Sequence, residues 1–225
     1  DLYNSIIDLS NNGYCLATNK PLTSYKKIYE GFMSMISFKP SDYFSLSSQI
    51  PLNLYDETKQ QDSSFTMIFA LEPLESGVKR TLLAKSNYAT SKHSFEISEL
   101  ENRSLEVKLF SSPNDYLTFT SLPFSVPTGK HSIVLTFDVD KQKIIAYINS
   151  VKHELLKNET GDYTHINEAS DLDVTSYVIG EDNKMKYPIN ANVGTISLIK
   201  EKRKKVALCL KALLRKRWIS FGESV

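Results

Sequence analysis

Residues 131–155 constrain the fold of this chain more than any other part of the sequence. In the first half of this run, Ile133, Leu135 and Phe137 alternate with other residues, which is the period-two pattern of a strand with one buried face. A polar turn with two aspartates follows, and the next stretch, residues 143–148, is rich in β-branched and aromatic side chains. The run predicts a hairpin of two long strands followed by a shorter, charged strand.

The rest of the sequence up to residue 199 predicts more short strands, separated by turns and without helical periodicity. The most regular is 65–71, whose apolar residues alternate and therefore share one face. Residues 53–63 and 158–173 are predicted to be polar connections. Further strands are predicted at residues 26–38, 43–46, 81–85, 95–98, 105–110, 116–120, 177–180 and 193–199. This pattern predicts an all-β, antiparallel two-sheet sandwich.

Length and composition predict one folded unit with two flanking segments. The chain has 225 residues, of which 41% are hydrophobic, and this is enough for one sizeable β-sandwich core. We expect residues 1–24 to be an N-terminal extension that could pair with the sandwich, residues 25–199 to form the sandwich, and residues 200–225 to form a basic helix and tail.

The tail differs from the body in charge. Residues 200–225 carry nine Lys or Arg against two Glu, a net charge of +7, whereas residues 1–199 carry −6. Apolar residues at helical spacing between Val206 and Leu214 predict one amphipathic helix. Its stripe could pack on the sandwich, lie on an anionic membrane, or dock on an acidic partner; nucleic acid is the least favoured partner. The basic residues concerned are Lys200, Lys202, Arg203, Lys204, Lys205, Arg215, Lys216 and Arg217.

Several short motifs, in a fixed order, carry a resemblance to a known family. They are Phe38-Lys-Pro-Ser-Asp-Tyr43, Ser64-Phe-Thr-Met-Ile-Phe69, Leu82-Leu-Ala-Lys85, the hairpin 131–149, Val178-Ile-Gly180 and the stretch 192–199. In this order the chain resembles laminin G-like domains of the concanavalin A-like lectin and glucanase superfamily. The resemblance implies a jelly-roll sandwich that binds glycans or proteins through rim loops, in some members with calcium. The tryptophans common in the family are absent, and Phe69 or Ile68 and His131 would take their core positions.

Rim loops of such a domain would bring polar and aromatic residues together. Aromatic faces stack on sugar rings, and carboxylates or amides bind hydroxyl pairs. The candidate ligand-binding residues are Tyr88, His93, Asp115, Tyr116, Tyr163 and His165. Because the chain has 12 tyrosines, aromatic residues in loops are also expected without any ligand.

The acidic loop after residue 158 is a candidate calcium site. Calcium takes six to eight oxygen ligands, and Asp162, Asp171 and Asp173 could supply some of them. The alternative is a solvated acidic loop, since no EF-hand spacing is present.

An enzymatic interpretation depends on the carboxylates of residues 96–101. Glucanases of this superfamily place paired carboxylates on one strand, but here the middle aspartate is replaced by Ser98. Glu96 and Glu101 would point to opposite faces of a regular strand, so the pattern does not favour a hydrolase.

We therefore expect a non-catalytic recognition or assembly module that binds glycan or protein through rim loops. Domains of this kind occur on microbial surfaces and on virus or phage particles, so an extracellular, cell-surface or virion location within a larger assembly is expected. Two alternatives remain: a particle-decorating structural protein anchored by its basic tail, and a glycoside hydrolase.

Overall fold

The computed structural model describes residues 5–7, 15–18, 24, 26–30, 33–40, 42–46, 54–87, 91–167, 177–180 and 189–199. These residues form strands β1 (Ser5–Ile7), β2 (Cys15–Thr18), β3 (Lys26–Glu30), β4 (Met33–Phe38), β5 (Tyr43–Leu46), β6 (Tyr55–Asp56), β7 (Gln61–Asp62), β8 (Phe65–Pro73), β9 (Arg80–Asn87), β10 (Lys92–Glu99), β11 (Leu105–Phe110), β12 (Tyr116–Thr120), β13 (His131–Asp138), β14 (Lys143–Ile148), β15 (Val151–Glu154), β16 (Leu156–Thr160), β17 (Tyr177–Gly180) and β18 (Ala191–Ile199).

Among the described residues, the strands form two large antiparallel sheets and one short hairpin. The larger sheet has nine strands in the order β1-β2-β5-β17-β9-β10-β11-β12-β16. The smaller has seven strands in the order β15-β14-β13-β8-β18-β4-β3, and β6 pairs with β7. Within this part of the chain, no helix has the length and apolar character needed to cross a membrane.

The predicted central hairpin forms the middle of the smaller sheet. β13 pairs with β14 on one side and with β8 on the other. Ile133, Leu135 and Phe137 point inwards and are at most 1% exposed. The outward-facing Val134 and Thr136 are also buried, so this strand is covered on both faces rather than one.

The two large sheets pack face to face around an aromatic and aliphatic core. Phe119 of the larger sheet meets Phe137 of the smaller sheet edge-on, with ring centroids 6.1 Å apart. Residues of β8, β10, β11 and β12 alternate into this interface, as their period-two patterns require. His131 at the start of β13 is also buried. The predicted all-β antiparallel sandwich is therefore confirmed.

Three local predictions differ from the structure. The single strand predicted over residues 26–38 is two strands, β3 and β4, which pair with each other. The predicted loop at 158–173 begins later, because residues up to Thr160 form β16. The polar connection at 53–63 contains the β6–β7 hairpin. The predicted tail helix and all of residues 200–225 lie outside the described residues.

Strand directions give the sandwich two ends that matter for function. At the rim end, β10 and β12 begin and β11 ends, next to the loops 111–115 and 161–167. At the cleft end, β8 and β10 end and β9 begins, next to the loops 74–79, 100–104 and 121–130. A strand rises by about 3.3 Å per residue, so His93 and Glu99 of β10 are separated by roughly 20 Å along the strand.

Candidate functional site

Five of the six predicted ligand-binding residues lie within one connected group at the rim end. His93 is in β10, Tyr116 begins β12, Asp115 closes the loop before it, and Tyr163 and His165 are in the loop 161–167. We call this group, with its contact partners Tyr55, Asp62, Phe110 and Ser112, the rim network. Tyr88, the sixth residue, lies outside the described residues.

Asp115 holds two loops of the rim network together. Its carboxylate accepts hydrogen bonds from the Ser112 hydroxyl (2.6 Å) and from the backbone N–H of Asp162 (2.9 Å). These two donors hold the pKa of Asp115 below its usual value. Gly161 has a φ of +65°, and a Cβ there would collide with the Asp115 carboxylate, so glycine is required at this contact. Asp115 therefore orders the rim rather than presenting a free carboxylate.

Asp62 has the same role on the other side of the loop 161–167. It accepts hydrogen bonds from the Tyr163 hydroxyl (2.6 Å) and from the backbone N–H of Ile166 (2.7 Å). Burial raises the pKa of Asp62, although these two donors and the nearby His165 oppose the shift. The ring of His165 packs on Tyr55 with centroids 4.4 Å apart. Sequence analysis missed Asp62, since nothing in its own neighbourhood distinguishes it from other aspartates that precede strands.

The predicted ligand-binding residue His93 is largely buried. The residue is 8% exposed, and its ring packs on Phe110 at 4.9 Å. Burial is the main cause that lowers the pKa of His93. Phe110 in turn contacts Tyr116 at 5.3 Å. The three rings form a packed series in which only Tyr116 extends to the surface.

Beside Tyr116, the outer face of the larger sheet carries a row of polar groups. Lys108 pairs with Thr118, and Thr118 pairs with Asn158 on the next strand, so all three side chains share one face. The Lys108 ammonium lies 5.6 Å from the centre of the Tyr116 ring. The structure gives the Tyr116 hydroxyl and the Asn158 amide no hydrogen-bond partner within its described part. We call Lys108, Tyr116, Thr118 and Asn158 the outer row.

The metal prediction stays a prediction, because two of its three residues lie outside the described part of the chain. Asp162 lies at the rim end, but Asp171 and Asp173 are outside the described residues. Among the residues that are described, no group of three or more His, Cys, Asp or Glu side chains is arranged to hold a metal ion.

The carboxylates considered for hydrolysis lie in different surroundings. Glu96 is 2% exposed, accepts a hydrogen bond from Ser98 at 2.7 Å, and lies 3.6 Å from the Lys79 ammonium. Glu101 is in the exposed turn after β10. Glycosidases need two carboxyl groups facing one bond. Here one carboxylate is buried within the strand while the other lies beyond its end, so the two do not form such a pair.

The cleft end contains a pocket that the sequence did not indicate. The loops 73–76, 99–103 and 127–129 enclose a volume of about 210 Å³. On its wall Glu99 is 3% exposed and lies 3.1 Å from Arg80, itself 1% exposed. In the sequence, Arg80 and Glu99 are charged residues at the ends of two strands. They indicate an ion pair only once β9 and β10 are known to pair with each other.

Comparisons with solved structures show the fold. The CBM40 module of the Ruminococcus gnavus IT-sialidase matches with a TM-score of 0.55 and 12% identity, over 79% of this chain and 95% of that one. The binding domain of botulinum neurotoxin serotype D matches with a TM-score of 0.61 and 11% identity, over 93% of this chain and 49% of that one. The NanB sialidase of Streptococcus pneumoniae matches with a TM-score of 0.54 and 15% identity.

These matches show that the chain shares the β-sandwich fold of these domains. The chain spans about half of the neurotoxin binding domain and 26% of the NanB chain. No protein-family model matches the sequence, and no curated protein matches it.

Proposed function

We propose that this domain is a non-catalytic recognition module that binds an acidic, sialic acid-type glycan on the outer row. The observation that carries the proposal is Tyr116, a half-buried ring beside a lysine ammonium and a row of polar side chains on one sheet face. Matching structures support the ligand class: a CBM40 module is bound to α2,3-sialyllactose, and a neurotoxin binding domain is in complex with SialylT.

The chemistry of the outer row suits such a ligand. A sugar ring can pack on the exposed face of Tyr116, because aromatic faces favour the C–H groups of a pyranose. The Lys108 ammonium lies 3.7 Å from the Glu106 carboxylate, so the ligand carboxylate would share or replace that partner. The ligand hydroxyls can bind Thr118 and Asn158. The rim network holds Tyr116 from behind, so little ordering is needed when the glycan binds.

A glycan array that pairs sialylated glycans with their asialo forms tests the proposal. We expect retention of sialylated glycans, and we expect Lys108→Ala and Tyr116→Ala each to weaken binding about tenfold, equivalent to ~1.4 kcal/mol. Tyr147→Ala is the matched control, since Tyr147 is a half-buried tyrosine on the outward-facing side of the smaller sheet. Equal binding of sialylated and asialo forms would contradict the proposal. An arm with a chelator tests whether calcium contributes.

We also propose membership of the concanavalin A-like superfamily and the absence of hydrolase activity. The two-sheet sandwich supports the first, and the separation of Glu96 from Glu101 supports the second. Hydrolysis of any tested glycan that is lost in Glu96→Gln would overturn the non-enzymatic assignment.

The biological setting is part of this proposal. We expect an extracellular, cell-surface or virion location, within a larger assembly, and contact of the basic tail with an acidic partner or with the domain itself. Thermal melting of a chain lacking residues 200–225 and of Leu210→Asp separates these options. A large loss of melting temperature in both favours packing of the tail on the sandwich, whereas unchanged melting favours an external partner.

A further inference from the structure

The cleft lies at the opposite end of β10 from the rim network. Its volume is about 210 Å³. The cleft is open on one side, and a space of this size accommodates a single six-membered ring with its substituents. The wall includes side chains of three kinds, which together restrict what can bind.

The first is a buried carboxylate with unused hydrogen-bonding capacity. Glu99 accepts a hydrogen bond through Oε2 from Arg80 at 3.1 Å, and the second guanidinium nitrogen of Arg80 donates to the Glu75 carbonyl. Oε1 of Glu99 has no partner among the described residues. Burial raises the pKa of Glu99 although Arg80 and Arg103 oppose the shift. This second oxygen is not among the fully buried unpartnered atoms of the described residues, so it is accessible and a ligand hydroxyl can donate to it.

The second is a guanidinium at the mouth, held by an aromatic ring. Arg103 lies with its guanidinium carbon 4.9 Å from the centre of the Phe124 ring, and it forms no ion pair within the described residues. Both residues have positive φ, +58° for Arg103 and +61° for Phe124, which L residues rarely adopt. Backbone hydrogen bonds from Phe124 to Asn102 and from Val126 to Arg103, each 3.0 Å, fix this arrangement.

The third is an apolar wall with two hydroxyl-bearing residues beside it, Ser76 and Thr128. Leu74, which is 50% exposed, lines the cleft. Phe124, which is 69% exposed, does not line it but contacts the lining residue Arg103 from the neighbouring loop. Pro127 lines the cleft beside Thr128, whose side chain is exposed. Apolar surface that remains exposed around a small polar pocket is typical of a binding site rather than of a folding requirement.

The charges around the cleft cancel. Arg80 and Arg103 are positive, and Glu75 and Glu99 are negative, so neither a strong acid nor a strong base is favoured. The ligand therefore needs hydroxyls that both donate to Glu99 and accept from Arg103, and a C–H surface for the apolar wall. We infer that the cleft binds one uncharged saccharide residue. This inference rests on the proposed function, and it gives the glycan-binding module a second contact with its ligand.

Amide chemical-shift mapping by ¹H–¹⁵N NMR tests the inference. The probes are glucose, galactose, N-acetylglucosamine and lactose, with 3′-sialyllactose titrated separately. We expect at least one neutral sugar to shift the amides of Glu99, Arg103, Thr128 and Gly129. If no neutral sugar shifts them, the inference is wrong. Shifts confined to Tyr116 and Thr118 with sialyllactose would uphold the proposed function alone, and shifts confined to the cleft would uphold only the second site.

Variants identify the groups that make the contact. Thr128→Val removes an exposed hydroxyl and should weaken the neutral sugar about fivefold, the equivalent of one neutral hydrogen bond. Glu99→Gln keeps the shape of the side chain and should weaken binding of the neutral sugar by tenfold or more. If this variant unfolds, the affinities of Thr128→Val and Phe124→Ala still test the inference. Glu101→Gln, in the exposed turn nearby, is the control that should leave binding unchanged. Unchanged affinity in both Thr128→Val and Phe124→Ala would overturn the assignment. Binding of a protein partner at the cleft, with no binding of any neutral sugar there, would also overturn it.

Discussion

The rim network and the cleft use polar side chains in different ways. At the rim, Asp62 and Asp115 each accept two hydrogen bonds that join one segment to another. At the cleft, Glu99 keeps one oxygen without a partner and Arg103 has no carboxylate partner within the described residues. The polar groups of the rim therefore stabilise the loops behind the proposed binding surface, whereas one Glu99 oxygen and the Arg103 guanidinium at the cleft are accessible to the proposed ligand.

The largest expected effect follows from the buried ion pair at the cleft end. Arg80→Ala leaves Glu99 buried without its partner, and breaking such a pair costs about 3–5 kcal/mol. Urea denaturation measures this loss, with Lys143→Ala as the control because the Lys143–Glu154 pair is exposed and contributes about 0–1 kcal/mol. A loss below about 1 kcal/mol in Arg80→Ala would show that the cleft carries little of the stability of the fold.

The rim should depend on Asp62 to a smaller extent. Asp62→Ala removes the acceptor for the Tyr163 hydroxyl and leaves the Ile166 N–H buried without a partner, at a cost of about 1–3 kcal/mol. Urea denaturation gives the free energy, and hydrogen exchange of the amides in 161–167 shows whether the loss is local. Asp140→Ala, an exposed carboxylate, is the control. Unchanged exchange in this loop would contradict the role assigned to Asp62.

Each end contains one histidine that should make stability depend on pH. Burial lowers the pKa of both His93 and His131, so the unfolded chain binds protons first as pH falls below ~6.5. Their contribution to stability is present above that value and is lost as pH falls towards the folded pKa, by up to about 1.4 kcal/mol per pH unit for each histidine.

Asp62 and Glu99 have the opposite effect on the pH dependence, because burial raises their pKa. The stability that they add at low pH is lost as pH rises through their raised pKa.

Single variants separate these contributions. His93→Gln and His131→Gln should each reduce the slope of unfolding free energy against pH between about pH 7 and pH 5.5. Glu96 and Lys108 face His93, and Arg80 acts on His131, so ionic strength should be kept fixed. An unchanged slope in both variants would show that neither ring is kept neutral by folding.

The smallest expected effect is at Phe124. Phe124→Gly removes an exposed ring from a left-handed backbone position, so stability should stay unchanged or rise by about 1 kcal/mol. Binding of a neutral sugar in the cleft should fall at the same time. Leu122→Ala, in the same loop at a residue 66% exposed, is the control for loss of apolar surface. A marked loss of stability in Phe124→Gly would show that the ring supports the fold instead.

Sequence alone predicts the sandwich because its central strands are paired and buried. The strands 43–46, 105–110, 116–120 and 177–180 have the predicted bounds. β16 was missed because its residues are almost all exposed and lack alternation; pairing with β12 gives it order. The bend within 26–38 was missed because apolar residues continue through it.

The site was predictable only where local composition indicates it. Topology brings Asp115, Tyr116, Tyr163 and His165 together, as loop residues at one end of a sandwich should be. Burial of His93 and the bonds to Asp62 depend on neighbours distant in sequence. The cleft depends on Arg80 and Glu99, 19 residues apart, whose pairing requires the register of β9 and β10.

The lysines on the edge strands affect whether one copy of this domain can add a strand to another. β3, β15 and β16 are edges of the two large sheets, and they carry exposed or half-exposed lysines at Lys26, Lys27, Lys152 and Lys157. A neighbouring chain that added a strand at these edges would have to bury or displace an ammonium group, which disfavours aggregation. At these three edges, copies of this domain can therefore lie close together without joining into continuous sheets; the fourth edge, β1, carries no lysine.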